Sequence, residues 1–281
     1  MTSWVVMFVV STTGTWSCLP DPLEVRNIPE VKEEIVVNTQ ILSDEGLVVF
    51  LSKTFGALEW SDNSDSEEVL NAVVVNDAVV IVEGPSSRDT LLFLGTGVYG
   101  DINIPFVEGE TYRLIVKSES LGEVTATTMV KPQVLFDSID VNRYFDGFDD
   151  TLAQVTYFVT DPPEKNHYMI NVQHVMRENI VEGMVLNPPG DYTRLVNDDE
   201  FEGAISETFL AFRRDYSEGD TVAVLLSNIS EDYFNFMQTR LDSRLGFVEF
   251  VSEPVNYHSN IVGGRGFFNL YIPDVRFFIL D

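Results

Sequence analysis

Glu108-Gly109-Glu110-Thr111-Tyr112-Arg113-Leu114-Ile115-Val116-Lys117 is the stretch whose reading decides the fold. A glycine-centred turn opens it. Tyr112, Leu114 and Val116 then fall on one side of an extended chain, and Arg113, Ile115 and Lys117 on the other. A period of two that sets an apolar face against a mixed one is the pattern of a half-buried strand. Further strands read on both sides of it. Gly122 turns the chain into Val124 to Val130, and upstream Ile35 through Leu42 and Leu47 to Ser52 read as strands joined across Ser43-Asp44-Glu45-Gly46. An acidic loop, Ser61 to Glu68, precedes Ala72 to Val82, broken near Asn76-Asp77, and Thr90 to Leu94. Short strands with turn signals between them and no helical period predict an immunoglobulin-like or transthyretin-like β-sandwich over residues 33–131, its two sheets burying each other's apolar faces and folding without the rest of the chain.

Lys131-Pro132 marks the boundary to a second β-rich domain, 132–281. There Gln154 to Val159 and Tyr168 to Met176 read as a hairpin across Asp161-Pro162-Pro163-Glu164-Lys165-Asn166, and residues 178–203 as a long excursion. Phe209 to Phe212, Thr221 to Leu226, Phe247 to Val251 and Phe267 to Ile272 read as strands. One helix is expected near 231–244. Ser230 is placed as its N-cap, Glu231 and Asp232 load its first turn, Arg240 and Arg244 its last, and Tyr233, Met237 and Leu241 share a face.

The start of the chain points to location. Trp4 to Val10 is an unbroken apolar run, Ser11 to Ser17 is small and polar apart from Trp16, and Cys18 follows, the sole cysteine. That layout predicts a signal peptide over 1–17, lipidation of Cys18 and a proline-broken acidic tether over 18–32, leaving a chain of 264 residues after cleavage of 281 − 17. Ser17 suits the small-residue requirement before the cut. Thr15 and Trp16 depart from the usual residues of a lipidation signal, and no Lys or Arg precedes the apolar run, which we read as a true start lying further upstream. A single cysteine excludes an intramolecular disulfide, so the fold must rest on packing. With 45 Asp and Glu against 17 Lys and Arg, the formal net charge of −28 repels phosphates and anionic headgroups, so nucleic acid is not an expected partner and membrane contact is expected only through the anchor.

No nucleophile elbow, zinc spacing or nucleotide loop is present, so neither catalytic residues, nor a metal, nor a cofactor are expected. His167, His174 and His258 read as structural. The acidic clusters Asp146/Asp149/Asp150 and Asp198/Asp199/Glu200/Glu202 lack the spacing of a calcium loop and read as solvated surface. Gly263-Gly264-Arg265-Gly266 resembles a phosphate loop superficially, but a strand-like run follows it, so a tight turn is expected. A binding role would place its contacts on long loops, and Tyr192 and Arg194 in the excursion are the candidates, by ring stacking and guanidinium pairing.

The Cys18 start before Ile35-Val36-Val37, Asn71-Ala72-Val73, the Glu108 to Leu114 stretch, Asp198-Asp199-Glu200-Phe201-Glu202-Gly203, Tyr233 in the helix and, most specifically, Ser259-Asn260-Ile261-Val262-Gly263-Gly264-Arg265-Gly266-Phe267-Phe268 together resemble one family. It is the Bacteroidota outer-membrane lipoprotein family of unknown function, domain-of-unknown-function family 4249. The resemblance implies an outer-membrane, lipid-anchored protein exposed at the surface or facing the periplasm, with a TonB-dependent receptor as partner in ligand capture or uptake. It brings no catalytic residues. The alternatives are a hydrolase acting on glycans or peptides, which requires perturbed carboxylates in a pocket, and a structural or adhesive surface protein, which requires neither.

Overall fold

The computed structural model describes residues 32–41, 46–55, 66–147, 151–175, 192–200, 203–211, 215–245 and 257–281. Its first sandwich is built from β1 (Ile35–Ile41), β2 (Leu47–Lys53), β3 (Ala78–Glu83), β4 (Arg88–Thr90), β5 (Leu92–Gly95), β6 (Val98–Asp101), β7 (Thr111–Ser118) and β8 (Gly122–Met129). One sheet has the order β4-β3-β7-β8; the other runs β1-β2-β6-β5, with β15 (Arg265–Phe267) added in parallel beside β1. The alternation in β7 holds: Tyr112, Leu114 and Val116 are at most 1% exposed and face the opposing sheet. The Tyr112 hydroxyl donates to the Pro105 carbonyl at 2.7 Å and accepts from Val107 N–H at 3.0 Å, so the buried ring keeps its polar end satisfied.

Two local readings change. Helix α1 (Ser66–Val73) occupies the end of the expected acidic loop and the start of the expected strand, and the strand itself begins at Ala78. Ser-Glu-Glu is a polar opening that suits a helix N-terminus as readily as a loop, and eight residues are too few for a legible period. Thr90 to Leu94 is two strands, because the chain changes sheets at the buried Leu91.

The second sandwich pairs a three-stranded sheet, β13-β10-β9, with a four-stranded one, β12-β11-β14-β16. Its strands are β9 (Ser138–Phe145), β10 (Thr151–Thr160), β11 (His167–His174), β12 (Tyr192–Asn197), β13 (Ala204–Ala211), β14 (Thr221–Ile229) and β16 (Asp274–Ile279). The expected hairpin between β10 and β11 is not formed; the two strands lie in opposite sheets, with Val155, Tyr157 and Val159 packed in one core with Tyr168, Ile170 and Val172. Pro162-Pro163 cannot continue a hydrogen-bonded ladder, and the crossing lets both apolar faces bury each other. β9 escaped the sequence reading because it is a polar edge strand that buries only Val141 fully.

The expected helix is α2 (Glu231–Leu245), capped by the Ser230 hydroxyl, which accepts Tyr233 N–H at 3.2 Å. Tyr233 and Met237 are buried and, with Met169, Ile229, Phe267 and Tyr271, form a third core on the outer face of β11 and β14. β11 is therefore covered on both faces, which is why six of its residues in a row are buried. Phe247 to Val251 lies outside the described residues.

From Ser259 the chain returns to the first sandwich. Val262 exchanges backbone hydrogen bonds with Thr125 on the edge of β8, and the Gly263–Gly266 turn then carries the chain across to β1 as β15. Phe268 and Leu270 enter the first core and Phe267 and Tyr271 the third. The expected strand Phe267 to Ile272 is extended and alternating as read, but its ladder ends at Phe267, since the residues beyond it pack between two cores.

Candidate binding cleft

Where α2 leans over the first sandwich, a cleft of about 370 Å³ opens. Its floor is the outward face of β1 and β2, whose register sets Val36 opposite Ser52 and Asn38 opposite Phe50. Arg265 and Gly266 of β15 form one side; Phe236 and Arg240, one helical turn apart on α2, form the other, and Tyr257 stands beside Phe236.

The aromatic wall is held from behind. Phe236 stacks on Tyr233 at 5.8 Å and an interplanar angle of 19°, lies 5.3 Å from Phe267, and meets Tyr257 edge-on at 5.8 Å and 60°. Behind it the environment is dry: burial pushes the Tyr233 hydroxyl up to about 12, with Arg240 opposing, and burial raises Tyr271 as well. Phe50, Phe236 and Arg240 are half-buried and Tyr257 is exposed, so the walls are packed yet open to solvent. The charge balance is inverted relative to the rest of the chain: the described lining carries two arginines and no Asp or Glu, in a protein with 45 acids and 17 bases. At the rim, Arg265 Nε donates to Glu34 Oε2 at 3.0 Å.

Tyr192 and Arg194 do not sit on a loop. Both lie in β12, the edge of the four-stranded sheet. Arg194 makes a two-pronged contact with Glu207 of β13, Nε at 2.8 Å from Oε2, and its guanidinium lies 5.7 Å from the Phe209 ring centre. Tyr192 stacks on the same ring at 5.4 Å, and Tyr157 donates to Glu207 at 3.0 Å. These groups clasp the edges of the two facing sheets. Of the excursion read over 178–203, residues 178–191 and 201–202 lie outside the described residues, as does Cys18.

The remaining candidates are scattered. His167 is buried against Phe234 at 5.0 Å, and burial holds its imidazole below the ordinary value. His174 faces Asp220 at 3.4 Å and His258 faces Asp232 at 3.7 Å. Asp198 accepts from Asn166 N–H and Asp199 pairs with Lys165 at 3.0 Å, at the edge of a shallow hollow. Among the described residues no three His, Cys, Asp or Glu side chains gather in a metal-ligating cluster. Asp149 and Asp150 lie outside the described residues.

The cleft residues were missed because those at 36–52 and those at 236–266 are far apart in sequence. A signal was present in Phe50 and Val36, apolar side chains at positions whose period assigns them to the solvent face of a sandwich.

The chain belongs to the family described as domain of unknown function DUF4249, whose model matches residues 21–274. No curated protein matches its sequence. Among solved structures, a two-domain fibronectin type-III segment from chicken tenascin is similar at 8% identity and a TM-score of 0.22, over 88% of this chain and 99% of that one. The β-sandwich assignment rests on the strand orders themselves.

Proposed function

We propose that this is a non-catalytic binding protein, anchored at the outer membrane through a lipid on Cys18, which captures a small ligand in the cleft and works alongside a TonB-dependent receptor. The observation that carries the binding role is the pre-packed aromatic wall of Phe236 and Tyr257 facing polar Asn38 and Ser52 across a cavity of small-molecule size, about 370 Å³. The anchor is supported by the apolar run ending at Cys18, and the receptor by the family resemblance. The described lining holds no Asp, Glu or His for a hydrolase to use.

Ser52→Trp tests the binding role, because Ser52 points outward and a large ring there fills the cleft without entering either core. Protein purified from the native host should carry a small-molecule adduct in native mass spectrometry that Ser52→Trp lacks at unchanged melting temperature. Identical spectra would refute the cleft as the site. For the anchor, a metabolic palmitate analogue should label the wild type and not Cys18→Ser; equal labelling removes it.

A further inference from the structure

We infer that the cleft holds a neutral saccharide, a pyranose ring with its C–H face against the aromatic wall and its hydroxyls on the floor of β1 and β2. This rests on the cleft being the binding site and adds the chemical class of what it holds.

Charge favours a neutral ligand. Arg265 is paired with Glu34 and Arg240 has interactions of its own, so the two guanidiniums do not call for a ligand anion. An anion would also have to compete with Glu34 against the field of a chain whose net charge is −28. A cation would find no carboxylate in the described lining to replace its lost water. The backbone excludes a further class. β1 lies between β15 and β2, and β2 between β1 and β6, so both floor strands have their edges paired and offer only side chains. An extended peptide that docks by adding a strand to a free edge has no ladder to join there.

The floor then selects among neutral ligands. Its register sets Val36 opposite Ser52 and Asn38 opposite Phe50, so apolar and polar side chains alternate as on a checkerboard, both along each strand and across the pair. Neighbours across the pair stand about 5 Å apart and those along one strand about 6–7 Å. A wholly apolar ring or chain on this floor would strip water from Asn38 and Ser52 without replacing their hydrogen bonds. A linear polyol would satisfy those two groups but bury little against Val36, Phe50 and the wall. A pyranose does both, because its C–H groups lie on the ring faces and its hydroxyls radiate from the rim. Phe236 is packed against Tyr233, Phe267 and Tyr257, and the Tyr257 ring is 38% exposed, so the wall is rigid and needs little ordering when a ring lands on it. The Asn38 amide and the Ser52 hydroxyl can each donate and accept, which suits hydroxyls, groups with the same two capacities.

Saturation-transfer difference NMR on the full chain tests this with maltotriose, cellotriose, xylotriose and N-acetylchitotriose, beside 2-naphthol as a neutral aromatic and trigalacturonate as an anion. At least one neutral saccharide should receive saturation, strongest on its ring C–H protons, and should bind more tightly than 2-naphthol and trigalacturonate. Asn38→Leu and Ser52→Ala should each weaken it by about two- to tenfold at unchanged melting temperature, the loss of one neutral hydrogen bond. Asn38→Leu should at the same time tighten 2-naphthol. Absence of saturation on all four saccharides at millimolar concentration overturns the inference, as does tighter binding of 2-naphthol or of trigalacturonate. A saccharide that still binds Ser52→Trp sits elsewhere on the protein and overturns it too. An adduct that Ser52→Trp abolishes, with no saccharide bound by the wild type, leaves the cleft as the site and refutes only its saccharide.

Discussion

At Gly266 a Cβ would stand 1.9 Å from the carbonyl oxygen of Val37, and the backbone φ there is +100°. Both the conformation and the close approach to β1 exclude a side chain, so Gly266→Ala must push β15 off the sheet edge. We expect a loss of about 3 kcal/mol or more in urea unfolding. Gly122 has a similar φ of +89° but open space around its Cβ position, so Gly122→Ala should cost only about 1 kcal/mol from backbone strain. His167 makes a prediction with a definite sign. Burial favours its neutral form, so its folded pKa lies below the ordinary 6.5. Above that pH both folded and unfolded states are neutral and nothing is lost. Below it the unfolded chain binds the proton first, and stability falls until the folded imidazole also titrates. Urea midpoints should therefore drop as pH goes from about 7 to about 5, and His167→Gln should flatten that part of the profile.

Helix α2 and strand β12 show how an element's neighbours decide its role. Ser230→Ala removes the cap of α2 and should cost about 1 kcal/mol. Because α2 carries Phe236 and Arg240, the same change should weaken ligand binding, though Ser230 is not among the residues lining the cleft. Arg194→Met breaks the clasp to Glu207 and should destabilise by about 1–2 kcal/mol. It should leave ligand affinity unchanged, which separates a role in holding two sheet edges together from a role in ligand contact. The strand most legible in sequence, β7, sets Tyr112, Leu114 and Val116 in a core and leaves Arg113 and Lys117 exposed on its other face. β9 and β12 are sheet edges with mixed burial, and their apolar period is correspondingly weak.

Across residues 31–281, the first sandwich depends on the C-terminal end of the chain. Ile261, Phe268 and Leu270 belong to its core, and β15 and Val262 cover the edges of its two sheets. Burying side chains of this size contributes about 1.5–3 kcal/mol each, together comparable to the whole net stability of a typical domain at about 5–15 kcal/mol. Residues 33–131 expressed alone should therefore lack a cooperative melt by circular dichroism. A cooperative transition in that fragment would show that the returning segment is dispensable.

By itself the sequence determined the β class, the alternating faces of β7, the capped helix near 231–244, and the turn character of Gly263–Gly266, each of which depends on residues only a few positions apart. Tertiary structure decided the rest. It separated β10 from β11 into opposite sheets, turned Tyr192 and Arg194 inward to an edge clasp, and threaded 259–272 back through the first sandwich. The cleft exists only because Ser52, Phe236, Tyr257 and Arg265, distant in sequence, meet where a helix from one sandwich leans on the outer face of the other. No local period encodes such a meeting; it follows from two apolar surfaces that can leave water only by covering each other.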